Sequence, residues 1–157
     1  MAKEQTVDVK KVMLGMVGER IVAHLLRKQG HMVEESLDPF DMQKDMLLDG
    51  NQIEVKTQVP FMMEDSFGVH PSQLKKMVSS HRVYFVSVPT SGKNVDPNAG
   101  SIYELDSTTE FKCHRRVVSG NREVICIPRV QSAMKIIGRV EDPKLLQTLK
   151  DLSTSYM

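Results

Sequence analysis

The chain has 157 residues, of which 40% are hydrophobic and 26% are charged, so it can form one domain with a single core and has the composition of a soluble protein. Its apolar runs are shorter than the about 20 residues of a membrane span, and its polar N-terminus shows no signal peptide. The net charge of +1 does not by itself indicate a nucleic-acid binder. Cys113 and Cys126 have no zinc-site spacing, which predicts reduced thiols in a cytoplasmic protein.

The charges are unevenly distributed along the sequence. Residues 34–65 contain nine acids and two bases, whereas residues 111–139 contain seven bases and one acid. An acidic centre suits a divalent cation, and a basic flank suits phosphates. Two differently charged solvated faces would give the same pattern, and on charge alone this simpler interpretation is favoured.

The first half of the sequence predicts a helix, an edge strand and a hairpin. The helix covers residues 8–29, with Asp8 as a candidate N-cap and Gly30 just past its end, and residues 1–7 are expected to be a loose arm. Residues 31–35 predict a short strand. Residues 45–49 and 52–57 predict two strands around Asp49-Gly50-Asn51, a sequence that favours a tight hairpin because Gly and Asn tolerate positive φ.

The rest of the sequence predicts a mixed sheet with helices. Residues 60–70 are expected to be a loop with exposed apolar side chains, followed by a helix at 71–80 and a central strand at 82–88. Further strands are predicted at 101–105, 111–118 and 123–127, and a final amphipathic helix at 142–157. This order predicts an α/β fold, a mixed β-sheet flanked by helices, in a single domain that spans residues 1–157.

Glu19 lies in the middle of the predicted apolar stripe of the first helix. Its neighbours on the helix surface are all apolar or small, namely Val12, Gly15, Met16, Val22, Ala23 and Leu26. An unpaired buried carboxylate is costly, so Glu19 predicts a cation or hydrogen-bond donors nearby. Gly15 and Gly18 are poor helix residues and indicate a close approach of the helix backbone to another element. A glutamate at the rim of the stripe, paired with a lysine, is the alternative.

The second hairpin strand carries an acid and a lysine on one face. Glu54 and Lys56 alternate with Ile53 and Val55, and Asp45 opens the preceding strand beside the same face. Two carboxylates and a lysine suit metal-assisted phosphodiester hydrolysis, because acids bind Mg²⁺, the metal activates a water, and the lysine orients or deprotonates that water or stabilises negative charge. A cross-strand salt bridge on a solvated face is the simpler alternative.

The segment Asp45-Met-Leu-Leu-Asp-Gly-Asn-Gln-Ile-Glu54-Val-Lys56-Thr57 resembles the core motif of the PD-(D/E)XK nucleases, the restriction-endonuclease-like superfamily. In that family an aspartate near the start of one hairpin strand is followed by (D/E)-x-K on the next strand. A glutamate on the first helix often completes the metal site, and Glu19 matches it. Lys44 stands where the motif has proline, and this departure leaves Asp41 as a rival to Asp45.

The resemblance covers about residues 12–88 and implies a restriction-endonuclease-like fold and a Mg²⁺-dependent nuclease, with Mn²⁺ as a substitute and DNA as the expected substrate. It gives catalytic roles to Asp45, Glu54, Lys56 and Glu19, and metal binding to the three acids among them. The helix at 71–80 and the strand at 82–88 match the family's crossover helix and next parallel strand. Residues 89–157 are expected to be a C-terminal elaboration of the same domain. Small members of the family are often dimers, so a homodimer is an implied alternative to a monomer.

Five further residues are candidates for nucleic-acid contacts: Gln58, Lys75, Lys76, Arg115 and Arg116. Gln58 lies near the site in some relatives, and the paired bases suit phosphates, although solvated faces explain them equally well. Three functions are consistent with the sequence: an active nuclease, a catalytically inactive nucleic-acid- or protein-binding module on the same fold, and a hairpin salt bridge in an unrelated α/β domain. The complete set of three acids and a lysine favours the nuclease.

Overall fold

The structure of the chain is a computed structural model that describes residues 2–35, 46–61, 65–89, 96–118 and 120–154. The helices in these ranges are α1 (Ala2–Lys28), α2 (Pro71–Ser79) and α3 (Pro143–Thr154). The strands are β1 (Val33–Glu34), β2 (Met46–Leu48), β3 (Asn51–Gln58), β4 (Ser66–Val69), β5 (Arg82–Ser87), β6 (Ser101–Leu105), β7 (His114–Val118), β8 (Arg122–Pro128) and β9 (Lys135–Arg139). No helix in the described ranges combines the length and hydrophobicity that crossing a membrane would require.

Six strands form a mixed sheet in the order β1-β2-β3-β5-β6-β9. β3 and β5 are parallel, and the chain between them contains β4 and α2, whereas the other neighbours in this sheet are antiparallel. The hairpin between β2 and β3 turns at Asp49 and Gly50, whose φ angles of 50° and 88° are positive. The predictions of this hairpin and of an α/β fold with a mixed sheet are confirmed.

The six-stranded sheet has a hydrophobic core on each face, because the side chains of β5 alternate between the two. Tyr84 and Val86 belong to the first core, which α1 and α3 cover. Val83 and Phe85 belong to the second core, to which α2 and a three-stranded sheet in the order β4-β8-β7 contribute. All four side chains are fully buried. The apolar run at 82–88 is therefore the central strand that the sequence predicts.

The first helix begins earlier than predicted. It starts at Ala2, so residues 2–7 are helical rather than a loose arm, and Asp8 is not the N-cap. The reason is compositional: Ala, Lys, Glu and Gln at the start of the chain favour a helix, and no proline or glycine precedes Asp8. A capping residue alone does not start a helix where the preceding residues already favour one.

The prediction of a loop throughout 60–70 is wrong, because Ser66–Val69 form β4. Phe67, expected to be exposed, is fully buried, and its ring stacks on Phe85 with the centroids 4.6 Å apart. β4 pairs with β8, where Phe67 lies opposite Ile127. A strand of four residues is too short to show an alternating pattern in the sequence, and its partner strand lies far along the chain, so β4 could not be recognised locally. β9, which pairs with β6, was likewise not predicted.

Candidate functional site

β3 places Glu54 and Lys56 on one face of the six-stranded sheet. Ile53 and Val55 pack into the first core, so the side chains that alternate with them point to the other face. In the parallel register with β5, Glu54 lies beside Val83 and Lys56 beside Phe85, two residues of the second core. The acid and the lysine therefore lie on the side of the sheet that α2 covers.

α2 contacts both of these side chains. Lys56 Nζ donates a hydrogen bond to Gln73 Oε1 at 2.7 Å and lies 3.7 Å from Glu54 Oε1. Lys76 Nζ lies 3.3 Å from Glu54 Oε2. Gln73 and Lys76 are three residues apart, so they share one face of the helix. The side chain of Glu54 is 13% exposed and that of Lys56 is 19% exposed, which makes this a largely desolvated cluster.

Burial controls the electrostatics of the cluster. It lowers the pKa of Lys56, because desolvation penalises the ammonium form; the Glu54 carboxylate raises this pKa in part, and Lys76 lowers it again. Glu54 Oε2 is buried and accepts no hydrogen bond from the described residues, although Lys76 approaches it. Among the described residues, this oxygen is stabilised only by the charge of nearby lysines, so it is a suitable ligand for a cation.

Glu19 lies on α1, which packs on the face of β3 opposite Glu54. The contact is close: a Cβ added to Gly18 would stand 1.7 Å from Thr57 Oγ1, whereas a Cβ added to Gly15 would meet nothing within 4 Å. The close approach that the two glycines predict therefore occurs at Gly18. Glu19 itself is half-buried, nearer to the rim of the stripe than to its centre.

On the side of β2, β3 extends beyond its described partner strand, beside the cluster. β2 pairs with β3 only through Asn51–Ile53, so on that side residues 54–58 border no strand of the described chain. α1 comes near enough for the charge of Lys11 to lower the pKa of Lys56. This influence is that of the Lys11 charge, and it does not by itself bring Glu19 to the face that carries Glu54.

The predicted metal ligands are only partly described. Asp45 and its rival Asp41 lie outside the described residues. Within those ranges, no three His, Cys, Asp or Glu side chains are grouped closely enough to hold a metal ion. A metal site built on Glu54 would therefore draw on ligands from the remaining part of the chain.

Gln58 connects the two sheets. Its Oε1 accepts a hydrogen bond from Gly68 N at 2.8 Å, which ties β3 to β4, and its side chain is half-buried. Gln58 lies on the same face of β3 as Lys56, two residues further along the strand. Its hydrogen bond stabilises the junction of β3 and β4 beside the cluster. Its contact with nucleic acid stays a prediction.

The predicted basic contacts lie on two separate elements. Lys75 is exposed on α2, next to the Lys76 that contacts Glu54. Arg115 on β7 forms an ion pair with Glu123, and the guanidinium of Arg116 lies 5.7 Å from the centre of the Phe61 ring. Because β7 is an edge strand of the small sheet, both arginines lie at its border. Their contact with phosphate stays a prediction.

Arg129 departs from the interpretation of residues 111–139 as a basic flank for phosphates. Its side chain is 5% exposed and donates to Asp96 Oδ2 at 2.7 Å and to the Tyr103 hydroxyl at 3.1 Å. It also forms an ion pair with Asp65. The count of bases in the sequence therefore overstates the positive surface, because this charge is buried and neutralised.

Gln73 is the member of the cluster that the sequence did not indicate. The available signal was the match of residues 71–80 to a crossover helix, which has to cover a face of the sheet that it joins. Gln73 and Lys76 are the polar residues at i, i+3 spacing on this helix that meet β3. The helix was predicted, but which of its polar residues faced the sheet was not.

Comparison with known proteins gives no relative from which a role could be transferred. No family model, no curated protein and no solved structure matches this chain. The functional argument therefore rests on the chain's own residues and geometry.

Proposed function

We propose that this chain is a metal-dependent nuclease of the PD-(D/E)XK type that hydrolyses phosphodiester bonds in DNA. The observation that carries the proposal is the pairing of Glu54 and Lys56 on one face of a strand that enters from a hairpin and is followed by a parallel strand. Apart from β1 and β4, the elements follow the order α1, β2–β3, α2, β5, which is the order that the resemblance implies for the core of a restriction-endonuclease-like fold. Asp45 and Glu19 are the proposed further members of the site.

The chemistry of Glu54 suits a hard cation. Its Oε2 is a buried carboxylate oxygen without a hydrogen bond from the described residues, and oxygen atoms are the ligands that Mg²⁺ and Mn²⁺ prefer. Met46, which follows Asp45 in the sequence, pairs with Ile53, which precedes Glu54. Asp45, Glu54 and Glu19 are the residues that would hold the ion. When bound, a divalent ion polarises the phosphate and lowers the pKa of a water molecule.

Lys56 is suited to act on the attacking water. Its lowered pKa brings the ammonium group closer to releasing a proton at neutral pH than a solvated lysine. The hydrogen bond to Gln73 fixes the position of Nζ, so the lysine is oriented before substrate binds. In its charged form the same group stabilises negative charge that develops on the phosphate.

The nucleic acid would be held by bases outside this cluster. Lys75 is exposed one residue from Lys76, and Arg115 and Arg116 lie on an edge strand, so all three are proposed to contact the phosphate backbone. Gln58 lies on the same face as Lys56 and is the proposed contact nearest the cluster. A homodimer is the alternative to a monomer, since two sites would allow both strands of a duplex to be cut in one binding event.

A non-catalytic binding module is the second candidate, and one observation favours it. The contacts of Glu54 with Lys76, and of Lys56 with Gln73, would stabilise a buried ion pair without any metal. In such a module the same residues hold α2 against β3, while the exposed bases bind nucleic acid or a protein. The two candidates differ in whether a divalent ion binds at Glu54.

Cleavage assays distinguish the candidates. The purified chain is incubated with linear, supercoiled, single-stranded and four-way-junction DNA in Mg²⁺, Mn²⁺ or EDTA, beside Lys56→Ala and the exposed control Lys112→Ala. The nuclease predicts metal-dependent cleavage that Lys56→Ala loses and Lys112→Ala keeps. Absence of cleavage together with absence of metal binding by calorimetry would overturn the nuclease in favour of the binding module.

A further inference from the structure

A cavity of about 570 Å³ lies between α1, β9 and the start of α3. This volume is within the range of about 300–1,000 Å³ that is typical of small-molecule sites. The apolar part of its lining is aliphatic: Val17, Ile21, Leu25, Ile102, Val140 and Leu145. No phenylalanine or tyrosine is among the described residues that line it.

One wall of the cavity is a row of bases on α1. Arg20, His24 and Lys28 are four residues apart, so they follow one another along the helix in steps of about 6 Å. None of the three forms an ion pair or a side-chain hydrogen bond with another described residue. Arg139 of β9 adds a fourth base, and its contact with the Pro97 carbonyl oxygen is long, at 3.5 Å.

The acids that line the cavity belong to the segment leading into α3 and not to α1. Glu141 and Asp142 line it at the start of α3, and the α1 wall contains no carboxylate. Asp142 Oδ1 already accepts a hydrogen bond from Lys144 N at 2.9 Å, so it caps α3. Among the described residues that line the cavity, the positive charge without an ion-pair partner is therefore concentrated along α1.

Contacts between α1 and β9 hold the cavity in shape. A Cβ added to Gly138 would stand 2.7 Å from Leu25 Cδ2, so the strand and the helix are in direct contact beneath the groove. Gln29 Nε2 donates to the Ile137 carbonyl oxygen at 3.1 Å and ties the end of the helix to the same strand. The cavity is thus formed before any ligand binds.

We propose that this cavity binds a free fatty acid, with the alkyl chain against the aliphatic side chains of the lining and the carboxylate against Arg20, His24 and Lys28. The bases favour an anion by charge complementarity, and the aliphatic side chains favour an alkyl chain. Single-stranded nucleic acid fits less well, because its bases bind by stacking on aromatic side chains, and among the described residues of the lining His24 supplies one small ring with no phenylalanine or tyrosine beside it. The inference is independent of the Glu54 cluster, which lies on the other face of the sheet.

Titration calorimetry with dodecanoate tests the proposal on the full chain. Binding of one dodecanoate per chain is expected, with 1-dodecanol bound more weakly because it lacks the charge. The double variant Arg20→Ala/Lys28→Ala should weaken dodecanoate binding by about tenfold, since two exposed charges are lost. Lys112→Ala removes an exposed base that does not line the cavity and should leave the affinity unchanged.

A blocking variant keeps the test decisive. Leu145 is half-buried on the cavity wall, and Leu145→Trp should abolish dodecanoate binding without loss of the folded state, checked by its melting temperature. No binding to the wild type, or equal binding to all variants, would overturn the proposal. Equal binding of 1-dodecanol and dodecanoate would also overturn it. If dodecanoate does not bind, binding of a single-stranded oligonucleotide, or of a second copy of the chain, that is lost in Arg20→Ala/Lys28→Ala would identify a different ligand for the same cavity.

Discussion

Lys76 Nζ on α2 lies 3.3 Å from the buried Oε2 of Glu54 on β3. The crossover helix thereby supplies a counter-ion to the acid of the (D/E)-x-K sequence. A carboxylate that is 13% exposed is costly without such a partner, so the contact accounts for how Glu54 is accommodated between the sheet and the helix. A divalent ion at Glu54 would compete with Lys76 for the same oxygen.

Removing the counter-ion should destabilise the metal-free protein. Lys76→Ala leaves Lys56, at 3.7 Å, as the cation nearest to Glu54 among the described residues. A loss of about 1 kcal/mol in the free energy of unfolding is expected, since Lys76 is itself partly exposed. Urea denaturation in EDTA measures it. Lys75→Ala, on the same helix but exposed, should change stability by less than about 0.5 kcal/mol. Equal effects of the two variants would mean that the Glu54 contact contributes no stability.

The lowered pKa of Lys56 predicts an alkaline dependence of stability. Burial lowers the pKa of Lys56, and Glu54 only partly restores it, so the folded chain releases this proton at a lower pH than the unfolded chain does. The unfolded state then holds more protons between the folded pKa and about 10.4, and stability rises with pH in that window. The wild type should therefore gain stability relative to Lys56→Met as the pH is raised. A flat or falling difference would contradict the burial of the charge.

Gly18 should tolerate no side chain, and Gly15 should accept one. Gly18→Ala places a Cβ 1.7 Å from Thr57 Oγ1, so α1 or β3 has to shift, at a cost of about 1–3 kcal/mol. Gly15→Ala meets nothing within 4 Å and should stabilise the helix by about 0.5–1 kcal/mol. Thermal unfolding compares the two. Gly18→Ala combined with Thr57→Ala should lose less than the sum of the single changes, and strict additivity would argue against the contact.

The buried ion pair of Arg129 with Asp96, beside the second core, should be sensitive to substitution. Arg129→Met leaves the carboxylate of Asp96, which is 2% exposed, without its guanidinium and should cost about 3–5 kcal/mol at neutral pH. Arg115→Met removes an exposed pair with Glu123 and should cost less than about 1 kcal/mol. Denaturant unfolding of both variants provides the comparison.

The cost of Arg129→Met should shrink in acid. Burial by itself raises the pKa of Asp96, but hydrogen bonds from Arg129 and from Asn98 N bring it below its usual value. The native carboxylate therefore contributes stability above the pKa of an unfolded aspartate, about 3.9, and this contribution is lost as the pH falls through the lower folded pKa. In the variant, Asp96 protonates at higher pH, so the difference from the wild type narrows toward acid. A constant difference from pH 7 down to about pH 2, below the pKa of an unfolded aspartate, would contradict this account.

Local periodicity predicted the parts of the fold and site that depend on neighbouring residues. Glu54 and Lys56 are two positions apart in a strand, so their common face follows from alternation alone. Gly18 marked a close approach because a glycine within a helix needs a reason. In both cases, the information lies within a few residues of the sequence.

Long-range pairing explains what could not be predicted. Phe67 is buried by Phe85 and by a strand beyond residue 120, and the partner of Arg129 is 33 residues away at Asp96. Lys76 was predicted as a phosphate contact, because nothing near it in the sequence shows that α2 turns it toward Glu54. Such contacts are set by the packing of elements, which no single segment encodes.

The proposed metal site predicts that Mg²⁺ raises the stability of the folded chain. In the proposed site the acids would be brought together in the folded state alone, so the free energy of unfolding should rise by about 2.7 kcal/mol at a Mg²⁺ concentration one hundred times Kd. Melting temperatures over a millimolar range of Mg²⁺ and Mn²⁺ measure this effect. Glu54→Gln should abolish the shift, because it removes the charge from the buried Oε2 position while keeping its volume.

Asp45 and Asp41 provide matched variants for the second ligand. Asp45→Asn should remove the Mg²⁺-dependent shift, because Asp45 is bonded to Met46, whose partner Ile53 adjoins Glu54, whereas Asp41→Asn should leave it intact. The reverse result would assign the ligand to Asp41 and keep the metal site. A melting temperature that is independent of metal in the wild type would instead contradict the site, and Glu54 and Lys56 would then be a structural ion pair under α2, in which Lys76 rather than a divalent ion neutralises the acid.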